Sequence, residues 1–304
     1  MDHENGQLVA RMDRALADRF GPGWHLRRVY HRIRPAGVQQ VYQATSAQGQ
    51  RLAIKICATP ETTRAQFDAL VLMARAQPDS VTPRFIAADD GFFAMDWIEA
   101  PTLKDRLGDA ERLKLLHGAG RWLRRLHAAT RALRPRTDAG PRGDLLYPGQ
   151  GAEYNAVLRE LTQRQRRLRM KFAWISLLHG DFHPGNLFVD AGRIVCFDPP
   201  QIRYGPRHVD LARFLVLLRV YRQHAQALGR AWPDSYRQDE AAFLGGYGAL
   251  YLPLSGRLRF MVDLATARLW HHLARQPRLT ALEQAELAML HRQMARRGLL
   301  PEPG

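Results

Sequence analysis

His179-Gly180-Asp181-Phe182-His183-Pro184-Gly185-Asn186 is followed by an apolar run at 187–189, a turn at 190–193 and a second run at 194–198 that ends on Asp198. The stretch reads as a polar loop leading into a tight hairpin, with an aspartate at the end of its second strand. A hairpin folds the chain back on itself, so Asp181, Asn186 and Asp198 can converge. Two carboxylates and an amide suit phosphoryl transfer. One carboxylate orients an attacking hydroxyl and accepts its proton, while the amide oxygen and the second carboxylate hold Mg2+ on the phosphates. Asp190 lies close by, but Asp190-Ala191-Gly192 is turn chemistry.

Working outward, the chain divides in two. In residues 1–97, segment 24–33 alternates loosely, and 40–44 and 51–57 read as short strands joined by a turn at 46–49. After Pro60 a helix is predicted over 62–76, with Phe67, Leu70, Val71 and Ala74 on one face. Segments 85–88 and 91–97 are strands again, broken at Asp89-Asp90. Beyond Glu99 the period becomes helical. Leu116, Ala119, Leu123 and Leu126 share a face, with Arg121, Arg124 and Arg125 turned away. Loops follow at 131–151, and helices are predicted at 209–228, 240–251, 257–275 and 281–297. The expectation is an α+β chain: a small sheet-plus-helix lobe over 1–97 and a larger, mostly helical lobe over 98–304.

Composition narrows the class. The 304 residues are 46% hydrophobic and 24% charged, which excludes a disordered chain, a collagen and a coiled coil. Lys and Arg number 45 against 29 acids, for a net charge of +16, and 41 of the 45 are arginine. Genomic base composition alone can produce such a bias. Residues 1–97 carry 12 basic and 10 acidic side chains, net +2; residues 98–304 carry 33 and 19, net +14. Cys57 and Cys196 make neither a disulfide framework nor a CxxC metal site and read as buried thiols of a reducing compartment. Apolar stretches such as 214–218 are far shorter than a membrane span. These features predict a cytoplasmic protein whose basic face can lie at the inner face of the cytoplasmic membrane.

His179, Asp181 and Asn186 keep the spacing of the kinase catalytic loop H-R-D-x-x-x-x-N. With its surroundings the sequence resembles the aminoglycoside phosphotransferase and choline kinase-like family, small-molecule kinases with a two-lobed protein-kinase-like fold. Leu52-Ala53-Ile54-Lys55-Ile56 resembles the strand whose lysine holds the ATP phosphates. Phe93-Ala94-Met95-Asp96-Trp97-Ile98-Glu99 resembles the hinge, which implies nucleotide contacts at Met95, Asp96 and Ile98. Trp122-Leu123-Arg124-Arg125-Leu126-His127 resembles the helix supporting the catalytic loop, and Asp210-Leu211-Ala212 the segment whose aspartate braces it. The resemblance implies Asp181 as the catalytic residue, Asn186 and Asp198 as ligands of Mg2+, and His179 and Asp210 as supports of the loop. His183 reads equally as a substrate-side residue or as packing.

Three departures stand out. The phosphate-covering stretch at 35–40 has one glycine, Gly37. Gln66 occupies the position of the helix glutamate that pairs with the lysine; the nearest carboxylates are Asp68 and Glu61, of which Asp68 is the expected partner of Lys55. Asp198 precedes Pro199-Pro200 instead of Phe-Gly, and Gly180 replaces the kinase arginine. Arg164, Arg166, Arg167, Arg169 and Lys171, and seven arginines over 121–142, read as solvated faces or as docking points for an anionic surface. A polycationic aminoglycoside is disfavoured by such a lobe, so the expected acceptor is a neutral or anionic hydroxyl compound phosphorylated from ATP. The alternatives are a membrane-proximal kinase of bacterial envelope glycolipid and a nucleotide-binding pseudokinase. No nucleic-acid partner is expected, since no reader motif accompanies the charge.

Overall fold

The computed structural model describes residues 2–34, 37–135, 151–168, 172–230, 232, 236–248 and 256–302. The chain forms two units. The first is Met1–Ala100 together with Val195–Ile202; the second is Pro101–Ile194 together with Arg203–Gly304.

The first unit contains α1 (Asp2–Phe20), β1 (Trp24–Arg34), β2 (Gly37–Ser46), β3 (Arg51–Ile56), α2 (Pro60–Ala76), β4 (Pro83–Ala87) and β5 (Phe92–Asp96). The strands form one antiparallel sheet in the order β1-β2-β3-β5-β4. Every residue of β3 after Arg51 is buried, because both faces of this central strand are covered. Leu52, Ile54 and Ile56 point to one face and join Tyr42, Ala44, Phe92, Ala94 and Met12 and Leu16 of α1 in the core. Ala53 and Lys55 point to the other face, where Phe93, the register partner of Lys55, meets Phe67 of α2 edge-on. Helix α2 starts where Thr59 accepts the Thr62 N–H, with Pro60 in its first turn.

Two expectations change here. Helix α1 carries no strong start signal in the sequence, yet it supplies Met12 and Leu16, both fully buried. The buried stripe of α2 is Thr63, Gln66, Ala69, Leu70 and Met73, rotated from the expected Phe67, Leu70, Val71 and Ala74. The polar Thr63 can sit inside because its hydroxyl donates to the Thr59 carbonyl.

The second unit contains α3 (Arg112–Ala129), β6 (Ala132–Pro135), α4 (Ala152–Arg167), β7 (Phe172–Leu178), β8 (Leu187–Asp190), β9 (Arg193–Cys196), β10 (Arg203–Gly205), α5 (His208–Ala227), α6 (Tyr236–Tyr247), α7 (Gly256–Ala274) and α8 (Ala281–Ala295). Single 3-10 turns lie at Leu103–Arg106 and Pro184–Asn186. Strands β10, β7 and β6 make a three-stranded sheet, and β8 with β9 a two-stranded ribbon. The boundary between the units falls within β9. Helices α3 and α6 approach through glycine. A Cβ built on Gly120 would lie 2.0 Å from the Phe243 carbonyl oxygen, and one on Gly246 would lie 1.9 Å from that of His117. Beside this crossing, Phe214 and Phe243 stack at 3.8 Å, and Trp122 stacks on Phe182 at 5.5 Å. Phe182 belongs to the 179–186 loop and is fully buried, so the loop is anchored in the core by its own aromatic ring. The predicted apolar face of α3, with Leu116, Ala119, Leu123 and Leu126, is the buried one.

Candidate active site

In the first unit the functional side chains gather around Lys55. Burial of its stem between α2 and the sheet leaves the residue 5% exposed, and a buried ammonium needs an anion. That anion is Asp198, whose Oδ1 accepts from Lys55 Nζ. Asp198 comes from a distant part of the chain and is held in place by backbone pairing. Val81 N–H donates to the Cys196 carbonyl at 2.9 Å, and Cys196 N–H to that of Asp79 at 3.2 Å. Two residues later Asp198 adopts φ +63, left-handed backbone that aspartate tolerates better than most residues.

Asp68 is not the partner of Lys55. It lies on the exposed side of α2, because the turn of the helix that faces β3 presents Gln66. The Gln66 amide oxygen accepts from Cys57 Sγ at 3.5 Å, so this position makes a neutral contact to the strand where the family expects a carboxylate. Burial raises the Cys57 thiol pKa, partly opposed by the nearby Lys55 charge.

Met95, Asp96 and Ile98 end β5 and begin the following segment. Met95 is buried and registers with Ala53. The Asp96 N–H is spent on the Thr82 carbonyl at 2.9 Å, and its carboxylate accepts from Arg84 Nε. Ile98 is half-buried. Of the stretch at 35–40, Pro35 and Ala36 lie outside the described residues.

The second unit holds the loop that opened the sequence reading. Asp210, fully buried in the first turn of α5, accepts from His179 N–H at 2.8 Å and Gly180 N–H at 3.0 Å. His127 Nε2 lies 3.2 Å from the same carboxylate, and His127 Nδ1 lies 2.8 Å from the Tyr247 hydroxyl. A carboxylate oxygen accepts, so Nε2 is the nitrogen that points an N–H at Asp210. Burial pushes the Tyr247 pKa to about 12, so the phenol keeps its proton. Gly180 takes φ +83, which a side chain at the kinase arginine position would strain.

The result is a clamped backbone that presents Asp181. Its N–H donates to His179 Nδ1 at 3.2 Å. Asn186 Nδ2 donates to its carbonyl at 3.0 Å and to Oδ2 at 3.3 Å. Arg213 donates to Oδ1 from Nε at 3.0 Å and from Nη2 at 2.6 Å. His183 Nδ1 accepts from Gly185 N–H, with the Tyr221 hydroxyl at 3.0 Å, which leaves Nε2 facing Asp181 Oδ2 at 3.6 Å. Burial pulls the Asp181 carboxyl upward, but the His183 hydrogen bond and the Arg213 charge outweigh it and hold the pKa well below the usual carboxylate range. Burial and the Asp181 charge raise Tyr221 to about 12.

Oxygen donors of the kind a hard cation takes occur in each unit: in the second, Asn186 spends its amide nitrogen on Asp181 and keeps Oδ1, and in the first, Asp198 carries a carboxylate that accepts from Lys55. Among the described residues no group of three or more His, Cys, Asp or Glu could cage a metal ion. Mg2+ needs no cage, since phosphates and waters fill most of its octahedron.

A sequence profile described as "Phosphotransferase enzyme family" (APH) matches residues 31–261. The chain belongs to this family. It is a phosphotransferase acting on hydroxyl acceptors, with a kinase-like fold. No curated protein matches it closely enough to serve as a relative. Among solved structures, an amicoumacin kinase in complex with AMP-PNP, Ca2+ and Ami is similar at 16% identity and a TM-score of 0.66, covering 99% of this chain and 98% of that one. An ethanolamine kinase of Plasmodium vivax matches at 10% identity and TM-score 0.64, covering 96% and 91%. The choline kinase LicA of Streptococcus pneumoniae matches at 14% identity and TM-score 0.60, covering 96% and 99%.

Sequence reasoning missed three residues of this phosphotransferase's loop environment: Arg213, Tyr221 and Lys104, whose Nζ lies 5.4 Å over the Tyr221 ring. Arg213 directly follows the quoted Asp210-Leu211-Ala212, and one more arginine in an arginine-rich chain carries no signal. Of the basic runs, Arg166 and Arg167 are exposed, whereas Arg164 is engaged with Glu160 at 2.8 Å and the Arg297 carbonyl at 2.9 Å. Arg136, Arg142, Arg169 and Lys171 lie outside the described residues. His271 stacks on Tyr154 at 3.8 Å. No helix among the described residues is long and apolar enough to cross a membrane.

Proposed function

We propose that this phosphotransferase is a kinase that uses ATP and Mg2+ to phosphorylate a hydroxyl of a small molecule, sugar or glycan. The observation that carries the reading is the setting of Asp181: a carboxylate that accepts from Asn186 and Arg213, on a backbone clamped by buried Asp210. Lys55 positions the donor's phosphates, Asp96 and Ile98 offer backbone groups to the adenine, and Asn186 and Asp198 would hold the metal. Mg2+, when bound, reduces the negative charge on those phosphates. Asp181 receives the acceptor hydroxyl. The acceptor O–P bond forms as the bond from the γ-phosphorus to its bridging oxygen breaks. ADP leaves, and the hydroxyl proton passes to Asp181 and then to water. Asp181 chiefly orients the hydroxyl and takes its proton late in a loose transition state.

The binding half of this reading is tested by thermal shift. ATP with Mg2+ raises the melting temperature of the wild type, and Asp198→Asn loses the Mg2+-dependent part of that rise. A wild-type protein indifferent to ATP with Mg2+ refutes it.

A further inference from the structure

Asp181 has a cation of its own. Arg213 lies on α5 one turn beyond Asp210, and its fork is committed to a single oxygen of Asp181. That commitment uses two of the five guanidinium N–H groups. The other three have no partner among the described residues, and the side chain is 42% exposed. His183 Nε2 faces the same carboxylate at 3.6 Å, and Lys104 lies over the ring of Tyr221, whose hydroxyl meets His183. Two further acids act on the neighbouring Tyr221, and both are engaged elsewhere: Glu286 meets His224 Nε2 at 3.0 Å, and Asp105 accepts from the Thr102 N–H at 3.1 Å and hydroxyl at 2.6 Å. The loop therefore pairs its one carboxylate with a guanidinium that keeps unspent planar donors.

We propose that Arg213 recognises the acceptor, and that the acceptor carries a phosphate or carboxylate close to the hydroxyl that is phosphorylated. The inference rests on the reading of Asp181 as the group that meets that hydroxyl. An anion accepting from the outward N–H groups of Arg213 sits on the order of 5 Å from Asp181 Oδ1, a few bonds from a hydroxyl hydrogen-bonded to the carboxylate. Guanidinium matches phosphate and carboxylate in plane, which a neutral polyol does not exploit. An ammonium group at the same place meets a like charge. The specificity assigned to this phosphotransferase is thus opposite in sign to that of a site for choline, ethanolamine or an aminoglycoside.

The test uses the full chain with AMP-PNP and Mg2+ saturating, and inorganic phosphate as the probe in isothermal titration. Wild type binds phosphate weakly. Asp181→Asn, which frees the guanidinium from its competing carboxylate, binds it several-fold more tightly, and Arg213→Gln loses about tenfold or more. Phosphate binding that is absent from both wild type and Asp181→Asn, or unchanged in Arg213→Gln, overturns the proposal.

ADP release is then followed with glycerol 3-phosphate, glycerol, kanamycin and vesicles of phosphatidylglycerol or phosphatidylcholine. Turnover with glycerol 3-phosphate assigns the anion to a soluble acceptor, and turnover with phosphatidylglycerol vesicles alone assigns it to a lipid headgroup. A preference for glycerol or kanamycin refutes an anionic acceptor. The thermal shift with ATP and Mg2+ reports separately on the kinase reading, so failure of nucleotide binding and failure at Arg213 are told apart.

Discussion

Asp210→Asn separates the clamp from the chemistry, and its cost follows from three donors. Asp210 Oδ2 serves His179 N–H and His127 Nε2, while Oδ1 serves Gly180 N–H. Asparagine keeps one oxygen. Placed at the Oδ2 position, it retains His179 and His127, and its NH2 then faces the Gly180 N–H 3.0 Å away. The Gly180 N–H loses its acceptor and the new NH2 finds none, two unsatisfied donors at a side chain with no exposure, at about 1–3 kcal/mol each, or roughly 2–6 kcal/mol in all. The opposite amide orientation strands more. Against a typical total stability of about 5–15 kcal/mol, this is a large share. Urea titration followed by tryptophan fluorescence gives the stability change, and hydrogen exchange at the Gly180 amide gives its location. The expected result is a lowered midpoint with faster exchange at Gly180, and a His127→Ala effect that is not additive with it. An Asp210→Asn midpoint within about 0.5 kcal/mol of wild type, with Gly180 still protected, refutes the clamp.

Asp181→Asn keeps the shape of the loop and removes the proton acceptor; turnover with ATP and an active acceptor should fall by about 10²–10⁴ while the KM for ATP changes little. Unchanged turnover removes Asp181 from the mechanism. Gly246→Ala drives a methyl group into the His117 carbonyl and should cost about 1–3 kcal/mol or more in denaturant midpoint, whereas Gly6→Ala, with nothing near its Cβ position, should be neutral or slightly stabilising. His208 is 9% exposed, and burial, then the charges of Arg207 and Arg257, lower its pKa from 6.5 to about 4. The unfolded chain therefore binds this proton at higher pH than the folded one, and stability is lost as pH falls from about 6.5 to about 4, by at most about 3 kcal/mol. A wild-type curve over that window no steeper than that of His208→Gln rules the burial effect out.

The strands of the first sheet, most helices of the second unit and the 179–186 loop could be read because each has a local pattern, whereas α4 (Ala152–Arg167) was not anticipated. Lys55 stands out among Leu52, Ile54 and Ile56 by alternation, and His179, Asp181 and Asn186 lie within one octapeptide. What the sequence hid depends on distance along the chain or on the rotation of a helix. Leucine spacing put Gln66 at the position facing the lysine, and only the expectation of a carboxylate pointed to Asp68, which ideal helix geometry sets about 200° away around α2; separately, the apolar pattern of Phe67, Leu70 and Val71 pointed to the wrong buried face. The buried stripe follows Thr63 and Gln66 instead, polar residues that satisfy themselves by local hydrogen bonds. Short strands such as β10, three residues long, have too little periodicity to announce themselves. The grip of Arg213 on Asp181 spans 32 positions and leaves no mark in composition.

The first unit is assembled from two stretches of chain, and this has a practical consequence for dissection. A polypeptide stopped at Ala100 would fold its five strands around an ammonium with no counter-ion, since Asp198 is encoded almost a hundred codons later. Such a fragment should aggregate or expel Lys55 into solvent, and a peptide spanning 195–202 should restore it when added in trans. Transplanting the first unit onto another scaffold thus means moving two pieces, the smaller of them eight residues long.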